Sequence, residues 1–114
     1  MEDKDTLLQK MFDLLKFIIP VLNTFPRNQK FVLADRIQNH VSDCYEIVLT
    51  AYYASSRDEK KAALRKANLK IEMLRHYVRL CHELRLFSFK QYKEFAARLD
   101  EVGRMVGGWI NFLN

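Results

Sequence analysis

The residues able to do chemistry in this 114-residue chain are two cysteines (Cys44, Cys81), three histidines (His40, His76, His82) and a scatter of carboxylates and cations. Their spacing argues against an active centre. Cys81 and His82 are adjacent, and neighbouring helical positions diverge rather than meet. Glu72 and His76 stand four apart, whereas a di-iron bundle site wants Glu and His three apart on facing helices. There is no C-x-x-C, and "GRMVGG" lacks the Lys-Ser/Thr of a phosphate-binding loop. The histidines read as surface or half-buried helix residues, and the cysteines as buried free thiols of a reducing compartment. No catalysis, cofactor or metal is expected.

What remains is charge. The net charge is +5, and residues 55–87 supply all of it, since the rest of the chain balances. Within that segment Arg57, Lys61, Arg65, Arg75 and Arg79 share about 80° of arc on a helix roughly 40 Å long. Such a row is either a solvated face or a surface for an anionic partner. Four of the five are Arg, whose planar fork suits phosphate and carboxylate. Lys66 and Lys70 project elsewhere, between two apolar seams, where an assembled particle would place them in a channel or groove.

These side chains need elements to position them. Only three Gly and two Pro leave too few turns for an all-β fold. Capping-box spacings at Thr6/Gln9, Ser56/Glu59 and Ser88/Gln91 open helices one, three and four, and Phe87 with Tyr92 has hydrophobic-staple spacing. The breakers "FPRNQ", "SSRDE" and "RLFSFKQY" delimit helices over about 6–24, with Pro20 kinking the last turns, and about 28–54, 56–85 and 88–114. Short connections between long helices force antiparallel neighbours. The expected fold is all-α: one domain over 1–114, an antiparallel up-down-up-down four-helix bundle.

Each long helix carries a seam at 3/4 spacing. Helix two offers Ala34, Ile37, Val41, Cys44, Val48 and Ala51; helix four offers Tyr92, Phe95, Leu99, Val102, Val106, Trp109 and Leu113. Phe12, Phe17, Tyr45 and Trp109 fall at core spacing rather than on a stacking platform. Helix three has two seams. One is Leu64, Ala67, Ile71, Leu74, Val78 and Cys81, the other Leu69, Met73, Tyr77, Leu80 and Leu84. A monomeric bundle needs one broad stripe per helix, so either helix three is wedged deep within one subunit or its second stripe faces another.

"EVGRMVGGWI" holds all three glycines, Gly103, Gly107 and Gly108, inside a helix where together they cost about 3 kcal/mol relative to Ala. That cost implies close packing, either within the subunit or across a subunit interface. The apolar opening "LLQKMFDLLKFIIPVL" is interrupted by Lys10, Asp13 and Lys16 and precedes no cleavage site, so no membrane span is expected and the chain reads as cytoplasmic.

In this order "FPRNQKFVLADRI", "ANLKIEMLRHYVRLCHEL" and "SFKQYKEFAARLDEVGRMVGGWI" resemble the accessory variability determinant (Avd) proteins of diversity-generating retroelements. The resemblance implies a non-enzymatic four-helix subunit, assembled into a barrel-like homopentamer with a positive surface. It would bind the retroelement's reverse transcriptase and nucleic acid, supporting mutagenic copying of template RNA into cDNA. Arg75 and Arg79 match its basic motif and Arg27 its breaker, while Arg65, Lys61 and Arg57 extend the same face. No basic tail follows Trp109, so no tail-mediated RNA contact carries over. The alternative is an S23-like four-helix protein associated with ribosomal RNA.

Overall fold

The computed structural model describes residues 2–114, with side chains from Thr6 onward. Four helices make up the bundle: α1 (Glu2–Leu22), α2 (Asp35–Tyr53), α3 (Arg57–Glu83) and α4 (Phe89–Leu113). A helical turn at Arg27–Gln29 and a π-helical stretch at Lys30–Ala34 lead into α2. Each helix packs on its neighbour in the chain, and α4 also packs on α1, closing the ring within 44 × 23 × 20 Å. No strand occurs among the described residues.

The core follows the expected seams. Ile37, Val41, Cys44, Val48 and Ala51 of α2 are buried against Leu64, Ala67, Ile71, Leu74, Val78 and Cys81 of α3. Phe95, Leu99, Val102, Val106, Trp109 and Leu113 line α4, and Leu7, Met11, Leu14, Ile18 and Leu22 complete the core from α1. Tyr92 is only half-buried. No polar or charged residue is buried among those described. At one end Phe25 stacks obliquely on Phe87 at 5.4 Å, and Phe87 meets Phe95 edge-on at 5.9 Å. This aromatic plug fastens the α1–α2 and α3–α4 connectors to each other.

The helix ends show which local signals hold. Ser88 and Gln91 form a complete capping box: the Gln91 N–H donates to Ser88 Oγ at 3.0 Å and the Ser88 N–H to Gln91 Oε1 at 2.9 Å. At α3 the Glu59 N–H donates to Ser56 Oγ at 3.0 Å, but the Glu59 carboxylate turns to the Ser55 and Ser56 hydroxyls instead of the backbone. Thr6 does not open α1, which begins at Glu2; Gln9 donates along the helix to Asp13 at 2.9 Å. Phe87 takes Phe25 and Phe95 as ring partners, and Tyr92 stacks on His82 at 4.1 Å. Pro20 lies within α1, which ends two residues later at Leu22.

Two further devices end α2 and α3. Lys60 Nζ donates to the Ala51 and Tyr52 carbonyls at 3.1 and 3.2 Å, satisfying acceptors that a helix C-terminus leaves open. Beyond α3 the Leu86 N–H reaches the Cys81 carbonyl and the Arg85 N–H the His82 carbonyl, the paired bonds of a Schellman motif. Its left-handed position is occupied by Arg85, at φ 60°, where glycine is the usual residue.

The π-helical stretch departs from the expected unbroken helix two. In a regular α-helix Lys30, seven residues before Ile37, would turn onto the core-facing stripe. On this stretch Lys30 is exposed, Leu33 and Ala34 are buried, and Phe31 and Val32 face solvent.

Candidate nucleic-acid and partner interface

Helix α3 presents a core face and two outer flanks of different chemistry. The flank toward α4 carries the basic row, and it divides in two. Arg57, Lys61 and Arg65, each four residues from the next, form no ion pair among the described residues. Farther along, Arg75 is half-buried and held on both sides, by Glu72 at 3.1 Å within α3 and by Asp100 of α4. Arg79 pairs with Glu83 at 2.8 Å while its side chain stays 75% exposed. The hydrogen bond that Arg79 Nε donates to the Glu83 carboxylate raises the guanidinium pKa above its ordinary range. Arg27 is exposed at the α1–α2 connector.

Gly103 belongs to this flank. A Cβ there would stand 2.9 Å from Arg75 Nη2 and 3.8 Å from Ile71 Cγ2. The missing side chain is the space in which the Arg75 guanidinium lies across to Asp100. Gly107 and Gly108 differ, since a Cβ at either would meet nothing within 4 Å among the described residues. Crowding within the chain therefore accounts for one of the three glycines.

The flank of α3 toward α2 carries the second apolar stripe. Leu69 is 58% exposed, Leu84 and Leu80 about half so, Met73 somewhat less, and Tyr77 is half-buried. The wedged-helix reading is thereby excluded. Lys70 and Lys66 edge this stripe. Lys70 Nζ lies 3.3 Å from His40 Nδ1 and 3.4 Å from Asp43 Oδ2, so it is accommodated by α2 of the same chain. Partial burial lowers the His40 pKa first, with the Lys70 and Arg36 charges adding to the effect and Asp43 opposing it. Lys66 lines an open cleft of about 310 Å³ with Ile47, Thr50 and Glu59. A second exposed apolar line runs along α1 through Phe12 and Ile19, flanked by the half-buried Leu8 and Leu15. Phe12 thus leaves the core position its spacing suggested, unlike Phe17, Tyr45 and Trp109.

The thiols carry no chemistry of their own. Burial pushes Cys44 up to about 12 and Cys81 up to about 11, so both stay protonated at neutral pH. Cys44 Sγ instead donates to the Ala67 carbonyl at 3.6 Å across the α2–α3 contact. Among the described residues no group of three or more His, Cys, Asp or Glu side chains is placed to hold a metal ion, and no helix is long and apolar enough to cross a membrane.

Sequence reasoning missed two side chains that the fold displays. Phe31 is 79% exposed on the π-helical stretch, and Phe89 is 65% exposed in the first turn of α4. The available signal was position: each phenylalanine lies outside the 3/4-spaced seam of its own helix.

The fold is shared with a solved structure, that of a protein of unknown function from the S23 ribosomal protein family of Bacteroides thetaiotaomicron VPI-5482. The two superpose with a TM-score of 0.88 over 96% of this chain and 98% of that one, at 16% sequence identity. At that identity the likeness is one of fold. No curated protein matches in sequence. The model of the bAvd-like family matches residues 6–113, nearly the whole bundle, and the chain belongs to that family.

Proposed function

We propose that this chain is a non-catalytic accessory subunit of a diversity-generating retroelement, bringing its reverse transcriptase together with template RNA or cDNA. Family membership over residues 6–113 carries the class. Within it, the observation that matters most is the unpaired row Arg57, Lys61 and Arg65. Cations already neutralised by carboxylates gain little from a phosphate, whereas a free row releases counterions from nucleic acid without first breaking anything. We assign that row to phosphate contact, and Arg79, with Arg75 holding the adjacent surface in shape, to the polymerase. Arg27 adds an exposed cation at the connector, whereas Lys66 and Lys70 edge the apolar stripe on the other flank of α3, with Lys70 already paired to Asp43.

The two apolar lines support assembly. The stripe on α3 and the line on α1 are different patches on different helices, so they suit head-to-tail contact between successive subunits more than a two-fold dimer. A closed ring of such contacts is the barrel-like homopentamer that the family resemblance implies. In it the open surface at Gly107 and Gly108 would admit a neighbouring backbone. The S23-like alternative rests on fold alone.

The test is capture of the retroelement's reverse transcriptase, with and without template RNA. Arg79→Ala should weaken capture without RNA, and Arg57→Gln with Lys61→Gln and Arg65→Gln should remove only the RNA-dependent gain. Full capture and full RNA gain in both variants would sink the assignment.

A further inference from the structure

The end of the bundle where the α1–α2 and α3–α4 connectors meet is chemically unlike the rest. Phe25 and Phe87 pack at 5.4 Å and draw residues 27–31 and 85–93 to that same end. There Arg27, Lys30, Arg85 and Lys90 are all exposed, and none forms an ion pair among the described residues. Of the nearby carboxylates, Glu83 and Glu94 are engaged by Arg79 and Arg98, while Asp35 lines the same open cleft as Phe31. Among these cations stand two phenylalanines largely in water, Phe31 and Phe89. Lys93 Nζ sits 5.3 Å from the Phe89 ring centroid, so one cation is already aligned with a ring. Phe31 lies on the π-helical stretch, and Arg85 is carried by the left-handed turn after α3.

We propose that this connector end binds single-stranded nucleic acid, stacking unpaired bases on Phe31 and Phe89 and taking phosphates on Arg27, Lys30, Arg85 and Lys90. The class of partner rests on the nucleic-acid reading above; the residues are separate from the α3 row. Uncompensated cations select a polyanion. Exposed rings set among them select one whose bases are free, because a duplex buries its base faces and leaves nothing to stack. The surface reads strandedness rather than sequence, since every base has a face to offer. A scaffold for reverse transcription meets such strands wherever template and product are unpaired.

Fluorescence anisotropy of the intact protein tests this, using labelled oligouridylate of about 15 nucleotides, an abasic strand of the same length and a matching duplex. Phe31→Ala with Phe89→Ala should weaken oligouridylate binding by about tenfold or more while leaving the abasic strand, the duplex and the salt slope unchanged. Both residues are on the surface, so the fold should survive, and circular dichroism checks that it does. Unchanged oligouridylate affinity in the double variant overturns the proposal. So does equal wild-type affinity for abasic and base-bearing strands, or a loss confined to polymerase capture, which would mark the rings as a protein contact. Arg57→Gln with Lys61→Gln and Arg65→Gln separates the two readings: if it leaves every probe unaffected while the phenylalanine variant loses oligouridylate, the α3 row fails and the connector end stands.

Discussion

Gly103 lies against Arg75, its absent Cβ leaving the space that the Arg75 guanidinium crosses to reach Asp100. A glycine on α4 and an arginine on α3 are thus one feature, and the cost of that glycine buys the position of a cation. Gly103→Ala should gain roughly 1 kcal/mol of helix propensity. It should lose about 0.5 kcal/mol from a disturbed, half-exposed ion pair. The net expectation is a small stabilisation in urea unfolding, with Arg75 displaced. A loss above about 2 kcal/mol would mean that backbone, not a movable guanidinium, fills the space.

Gly107 and Gly108 make the contrasting case. Among the described residues, nothing lies within 4 Å of a Cβ at either position. Each Gly→Ala change should stabilise the isolated subunit by roughly 1 kcal/mol, measured in dilute, dissociated protein. Destabilisation there would show that these positions are crowded within the chain after all.

Much of this was legible in the sequence because helix periodicity reports which residues share a face. The core seams of α2 and α3, the Ser88/Gln91 cap and the second stripe of α3 all came from spacing of that kind. Spacing does not reveal how many neighbours a helix has, so it left open whether Leu69, Met73, Leu80 and Leu84 were buried. Nor does it foresee contacts between helices: Arg75 meets Asp100, and Lys70 meets His40 and Asp43, each more than twenty residues away. The π-helical stretch escaped because it breaks the very period being read.

Arg85 offers a local test of the α3 terminus. A non-glycine residue in the left-handed position after a helix is strained by about 1 kcal/mol. Arg85→Gly should raise the thermal midpoint by a few degrees while preserving helix content. A lowered midpoint would mean that the arginine side chain contributes more than its backbone costs.

The buried thiols predict an alkaline limit. Cys44 and Cys81 are held above their ordinary values, so the folded state keeps protons that the unfolded chain gives up. Their contribution is fully present below about pH 9 and is lost as pH rises toward 11 and 12. Stability should fall between pH 9 and 11 by up to about 1.4 kcal/mol per pH unit for each thiol. Cys44→Ala should be less stable at pH 7 yet show a shallower alkaline decline. An identical decline would assign it to other groups.

The basic row predicts a salt dependence. Removing three phosphate contacts with Arg57→Gln, Lys61→Gln and Arg65→Gln should reduce the slope of log affinity against log salt by about 2 for single strands. Folding stability should hardly change, because none of the three is paired among the described residues. Arg75→Ala, in contrast, should cost stability by stranding Asp100 and Glu72, so Arg79→Ala is the cleaner probe of partner contact.

The account turns most on what covers the exposed stripe of α3, and native mass in solution answers that most directly. Light scattering at moderate salt should give five subunits of 13.6 kDa, about 68 kDa. Leu69→Lys with Leu80→Lys, or Gly107→Leu, should reduce that mass while leaving the helices formed. A wild-type chain that stays at 13.6 kDa across concentrations would contradict the account, leaving Leu69, Leu80 and Leu84 facing water with no subunit to meet them.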